Sequence, residues 1–245
     1  MGQNLAAFMI RKMTGSLSGR LTPLFGIAMH RCFFPNVGKY YGGYFTYNGK
    51  AYPMGQHGFA RDTEFEQIAA GEDFVTYRLC ADEESKKKYP FDFVLEITHR
   101  LENNRLSVEW NVKNVDDKEM YFTIGGHPAF NVNILPDTDF EDYSLVFKEG
   151  IETLSYILID AENGTALTDK THKLELTNSK YALKKDMFDK DALIFDNGQI
   201  EWVGLALPNG KPYIALESKN FPNFGIWSKP GAPYVCLEPW CGRCD

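Results

Sequence analysis

Short stretches of alternating apolar and polar residues, each closed by a turn residue, recur along most of this chain and favour antiparallel sheet. The sharpest example is Tyr44-Phe45-Thr46-Tyr47, then Asn48-Gly49, then Lys50-Ala51-Tyr52. Asn-Gly supplies the positive φ angles that a two-residue hairpin turn needs. Phe91 to Arg100 places Phe91, Phe93, Leu95 and Ile97 on one face, turns at Glu102-Asn103-Asn104, and returns through an alternating Leu106–Val112. Further strand-like runs are Tyr143–Phe147, Leu154–Ile159, Leu174–Leu176, Leu193–Phe195, Glu201–Leu207, Tyr213–Glu217 and Tyr234–Glu238. Only Lys180–Phe188 reads as helix, with Asn178 or Ser179 as its cap. The reading is an all-β chain, an antiparallel sandwich or barrel, with no internal repeat and no interdomain linker, so 1–245 is treated as a single domain.

Composition narrows the partners. An aromatic share of 14% suits both sheet faces and sugar-stacking surfaces. A net charge of -7, without any Lys/Arg block, argues against a nucleic-acid binder. No run of 18 apolar residues is present, so no membrane span is expected. The odd set Cys32, Cys80, Cys236, Cys241 and Cys244 fits reduced thiols better than a disulfide framework, and a cytoplasmic location is expected on that ground. Cys241-Gly-Arg-Cys244 lacks the second ligand pair of a zinc site and the strand–helix setting of a redox motif.

The front of the chain differs from the rest. Asp62 is the first acidic residue, while Met1, Met9, Met13, Met29 and Met54 all precede it. A targeting segment would look like this, being rich in Arg and Ser and poor in acids. A one-nucleotide frame shift over Met9–Phe33 is the favoured reading, because shifted codons can encode an acidic, aromatic segment that continues smoothly into Phe34-Pro35-Asn36-Val37-Gly38.

Three stretches carry the chemical argument. Gln56-His57-Gly58-Phe59-Ala60-Arg61-Asp62 sets an imidazole and a guanidinium four residues apart in a glycine-containing turn. A loop His beside an Arg is more often structural or solvated, so alone this is weak. Gly125-Gly126-His127-Pro128-Ala129-Phe130 follows a strand, and Pro128 biases His127 towards extended backbone. An imidazole titrates near neutrality and can serve as general acid or base. In Tyr234-Val235-Cys236-Leu237-Glu238-Pro239-Trp240-Cys241-Gly242-Arg243, alternation puts Glu238 with Tyr234 and Cys236, opposite Val235 and Leu237. A carboxylate ending an apolar strand beside a Trp should be desolvated and its pKa raised. An ordinary strand-end Glu is the competing reading.

Together, His57-Gly-Phe-Ala-Arg61, Gly-Gly-His127-Pro-Ala-Phe and Glu238-Pro-Trp-Cys-Gly-Arg resemble the signature segments of the aldose 1-epimerase (mutarotase) family. Phe34-Pro35-Asn36-Val37-Gly38 and Pro90-Phe91-Asp92-Phe93 are similar to its LacX-like branch, related to the hexose-6-phosphate mutarotases. The resemblance runs from about Phe34 to Asp245 and implies a galactose mutarotase-like β-sandwich with a sugar cleft across one sheet. It implies Glu238 as the base on the anomeric hydroxyl and His127 as the acid on the ring oxygen. It further implies substrate-binding roles for His57, Arg61 and Asp191, with Asp196 as the alternative to Asp191. The substrate would be an aldohexose or its phosphate, with no cofactor and no metal. Arg61 with Arg243 or Lys39 could hold a phosphate. The family's Arg upstream of Phe-Pro would fall at Ala28, and its strands beyond Glu-Pro-Trp are expected to be missing, as are native N-terminal portions.

Other groups have plainer readings. His99 shares the apolar face of Phe93, Leu95 and Ile97 and reads as a core histidine. His172, among Asp169, Lys170 and Lys173, reads as solvated, and Glu83–Lys88 as an exposed charged connection. A non-catalytic sugar-binding module on the same fold would need no acid/base pair. A metal-dependent isomerase would want clustered ligands, and a glycoside hydrolase two carboxylates where only Glu238 stands out.

Overall fold

The computed structural model describes residues 32–243, which fall into two compact units. Met9–Arg31 and Ala28, and with them the targeting and frame-shift readings, lie outside the described residues, as does Cys244. Strands dominate, and every pairing between named strands is antiparallel. No described helix is long and apolar enough to cross a membrane.

The first unit comprises 46–53 and 62–122. Its four-stranded sheet runs in the order β4 (Glu66–Ala70), β5 (Phe74–Cys80), β6 (Phe93–Glu102), β7 (Arg105–Asn114). Leu79 faces Leu95 and Tyr77 faces Ile97 across β5 and β6, so the alternation seen in sequence becomes one buried face. His99 lies on that face, edge-on to Tyr77 at 6.4 Å, and burial lowers its pKa to about 4. It is a half-buried, uncharged histidine on the face where the alternation placed it. The turn between β6 and β7 has Asn103 at φ 55°.

The charged stretch Glu83–Lys88 buries no residue, as expected of an exposed connection, and forms a short helix, α1. The Ser85 amide donates to Asp82 Oδ1 at 2.7 Å, and the Asp82 amide donates to Ser85 Oγ at 2.9 Å. This reciprocal cap satisfies two otherwise unpaired donors, and acids first with lysines last complement the helix dipole. The helix expected at 180–188 does not form. Asn178 and Ser179 take positive φ and start a hairpin-like turn, from which β13 (Lys180–Ala182) pairs with β10 (Ser144–Phe147). A propensity argument missed this because β10 offers an open sheet edge that local sequence does not reveal.

The second unit comprises 32–45, 54–61 and 123–243. One sheet runs β1 (Cys32–Phe33), β8 (Ile124–Gly126), β18 (Tyr234–Cys241), β17 (Asn223–Trp227), β14 (Leu193–Phe195), β11 (Thr153–Ile159), β12 (Ala166–Glu175), with β9 (Ala129–Asn131) also pairing with β18. The other runs β13, β10, β15 (Trp202–Ala206), β16 (Pro212–Glu217). Leu145, Val203 and Leu205 from the smaller sheet pack on Leu193, Phe195, Phe224, Ile226, Val235 and Leu237 from the larger. Two antiparallel sheets closed over one apolar layer make a β-sandwich, and each fully buried Leu or Phe contributes roughly 1.5–3 kcal/mol to it.

Register then decides what the outer face of the large sheet carries. Directly opposed residues on neighbouring strands share a face. Trp240 opposes Asn223 and Gly125, Glu238 opposes Gly225, and Cys236 opposes Trp227 and Ala129. With Val235 and Leu237 in the core, Cys236, Glu238 and Trp240 stand on the other side. This is the face the alternation in β18 predicted.

Candidate active site

Trp240 forms the floor. A Cβ at Gly225 would come within 2.3 Å of its Cζ2, and one at Gly125 within 2.6 Å of its Cδ1. The indole therefore lies against two strands that carry no side chain there. Glycine inside a strand usually weakens it, and here both positions admit the ring. Phe33, Val37, Ile157 and Ile194 pack with Trp240 in this second apolar cluster.

Phe33 supports the histidines. Its ring stacks on His57 at 3.7 Å between centroids and 12° between planes, and meets His127 edge-on at 5.4 Å. His57 and His127 lie 6.4 Å apart, and Trp227 approaches His127 edge-on at 5.7 Å. The His57 loop is tied down by main-chain bonds, with the amides of Phe59 and Ala60 both donating to Phe34 O. Gly58, at φ 69°, sits where a Cβ would come within 2.1 Å of that same oxygen.

His57 itself is at φ 64°. Its amide donates to Gly38 O at 2.7 Å, and its Nδ1 accepts from the Gly38 amide at 3.0 Å. Because Nδ1 is an acceptor, the proton of the neutral ring belongs on Nε2. Burial, the Arg61 guanidinium and His127 together lower the His57 pKa to about 3. At neutral pH His57 is thus an uncharged ring offering one N–H donor.

His127 lies in the connection between β8 and β9, where the Leu237 amide donates to Pro128 O at 3.1 Å and fastens that connection to β18. Its Nδ1 is 3.1 Å from Glu238 Oε1, with side-chain exposures of 21% and 4%. Burial pushes the Glu238 carboxyl well above its ordinary range, the indole of Trp240 partly opposes this, and the charge of Asp191 adds to it. The raised pKa is the one the sequence argument anticipated.

Of the remaining expected residues, Asp191 acts on Glu238 and Arg61 on His57. Arg61, in the short 3-10 turn Ala60–Asp62, is electrostatically coupled to His57. Asp191, exposed and at φ 72°, precedes β14 and lies close enough to act on Glu238. Asp196, at the far end of β14, accepts from Asn223 Nδ2 at 2.6 Å and pairs with Arg243 at 3.2 Å. Arg243 is therefore engaged with a protein carboxylate. Lys39 lies along the turn at Gly164.

Several neighbours of the pair, outside the proposed acid/base machinery, carried no sequence signal. Phe33 and Trp227 lie in segments too short or too glycine-interrupted to read as strands, and Cys236 read as a plain thiol. His172 is half-buried and stacks on Tyr156 at 5.2 Å and 20°, which corrects its reading as solvated. A cleft of about 410 Å³ lined by Tyr156, His172, Tyr181, Lys184 and Lys190 contains none of the signature residues.

Comparison with known proteins bears on the family. The aldose 1-epimerase family model matches residues 36–244. Protein LacX of Lactococcus lactis subsp. lactis, in its plasmid and chromosomal forms, is 32% identical over 190 residues, covering 76% of this chain. The chain spans 63% of the length of those relatives. Among solved structures, a galactose mutarotase related enzyme from Lactobacillus acidophilus is 34% identical with a TM-score of 0.81, over 87% of this chain and 71% of that one. A galactose mutarotase-like protein from Lactobacillus casei is 31% identical with a TM-score of 0.76, over 87% and 73%. With the family signature, the sandwich and these likenesses in agreement, the chain belongs to the aldose 1-epimerase family.

Proposed function

We propose that this chain interconverts the α and β anomers of an aldohexose or its phosphate, with Glu238 as general base and His127 as general acid. The observation that carries the reading is the 3.1 Å approach of His127 Nδ1 to a carboxylate that is almost wholly buried. The anomeric hydroxyl and the ring oxygen are bonded to the same carbon, so an acid and base serving them must be neighbours.

Glu238 takes the proton from the anomeric hydroxyl as its oxygen forms the C1 carbonyl and the C1–O5 bond breaks. His127 delivers a proton to O5. Rotation about C1–C2 turns the other carbonyl face inward, and reclosure returns one proton to His127 and one to the anomeric oxygen. No redox partner is needed, and a placed acid and base each contribute roughly 10²–10⁴-fold. A buried Glu238 is a stronger base than one in water.

His57, held neutral with its proton on Nε2, suits a hydrogen bond to the ring oxygen or a nearby hydroxyl. Arg61 and Asp191 are assigned to substrate hydroxyls, and Arg61 to any phosphate. Anomer exchange of glucose, galactose and their 6-phosphates, followed by magnetisation-transfer NMR, tests the assignment. Acceleration that vanishes in Glu238→Gln supports it. A folded protein that binds sugar without accelerating exchange would instead make the chain a carbohydrate-binding module.

A further inference from the structure

Cys236 stands two residues before Glu238 on the same strand face and is 1% exposed. Its thiol is free. One donor atom from each of His127, Cys236 and Glu238 lies within 4.8 Å of the other two. Sequence spacing shows no metal motif here, because an i, i+2 pair on one strand is joined by a residue more than a hundred positions earlier. A tetrahedral Zn²⁺ with bonds of roughly 2.0–2.3 Å brings its donors to about 3.5 Å from one another, so small side-chain rotations would close the triangle.

We propose that His127, Cys236 and Glu238 form a three-ligand site for a thiophilic divalent cation of the Zn²⁺ type, with an open fourth position. The donor set chooses the ion. Imidazole with a thiolate suits borderline-soft metals, whereas Mg²⁺ and Ca²⁺ take oxygen ligands. Cys236 binds as thiolate, its proton leaving to solvent. Position chooses the consequence, which rests on the epimerase reading. A cation here occupies both the acid and the base, so it inhibits anomer exchange by competing with sugar.

The test uses the full chain carrying Cys32→Ala, Cys80→Ser, Cys241→Ser and Cys244→Ser, which leaves Cys236 as its one thiol. Titration with ZnCl₂ by calorimetry should give one equivalent bound, weakened tenfold or more by Cys236→Ser. Co²⁺ in place of Zn²⁺ should give a thiolate-to-metal charge-transfer absorption that the same substitution abolishes. Should Cys236→Ser fail to fold, Cys236→Ala removes the same donor and carries the same expectation. Cys236→Ser should also retain metal-free anomer exchange while losing its sensitivity to Zn²⁺. Zn²⁺ binding unchanged by loss of Cys236, or absent from the parent chain, overturns the site. Calorimetry and the cobalt spectrum need no turnover, so lack of exchange in metal-free protein would strike only the epimerase reading.

Discussion

Glu238 Oε1 lies 3.1 Å from His127 Nδ1, on the face of β18 opposite the sandwich core. Neither residue is near the other in sequence. The register of β18 against β8 and β9 brings them together, and the Leu237–Pro128 main-chain bond maintains the approach. Predictions about this pair follow from how strongly the carboxylate is withdrawn from water.

Glu238→Gln keeps the shape and removes the base. Anomer exchange should fall by about 10²–10⁴-fold. Stability should move the other way. A carboxyl whose folded pKa is raised holds a proton that the unfolded chain has released, so the native state loses stability as pH climbs above the ordinary carboxylate value. Thermal melts between pH 4 and pH 8 should show a flatter decline in the variant. Equal slopes for both proteins would refute the buried-charge account.

His57 titrates in the opposite sense. Its folded pKa of about 3 lies below the ordinary 6.5, so between those values the unfolded chain binds more protons and stability rises with pH. The contribution is fully present above 6.5 and is lost as pH falls towards 3. His57→Asn should remove up to about one proton from that dependence, near 1.4 kcal/mol per pH unit at most. Asn tolerates the positive φ that His57 adopts, which limits backbone cost. Chemical denaturation across pH 4 to 7 measures it.

Gly225→Ala tests the Trp240 floor. The new methyl would meet the indole at 2.3 Å, and overpacking of this kind typically costs about 1–3 kcal/mol. Displacing the ring also disturbs Glu238, so activity should fall more steeply than stability. A variant with native melting and native exchange would show that the floor is not rigid.

Phe33→Ala removes the ring on which His57 stacks. Loss of a fully buried aromatic side chain costs about 3–5 kcal/mol. In protein that remains folded, a loosened His57 should raise KM for the sugar more than it lowers kcat. Steady-state kinetics separates the two, and a pure kcat effect would assign His57 a different role.

Local chemistry determined much of this protein. Alternation in Phe91–Arg100 and Leu106–Val112 yielded strands, the Asn48-Gly49 turn was legible from two residues, and the parity of β18 placed Glu238 opposite Val235 and Leu237. The three signature segments pointed to the family and to His57, His127 and Glu238 before any fold was known. What local chemistry could not decide was set by partners distant in the chain. Lys180–Ala182 is a strand because β10 accepts it, whereas the Glu83–Lys88 helix rests on a local cap between Asp82 and Ser85. Asn223–Trp227 looks unsuited to a strand until Trp240 is seen to occupy the space over Gly225. Cys236 became a neighbour of His127 only through sheet register, since period-two alternation assigns a side chain to a face while pairing between strands determines what it meets there.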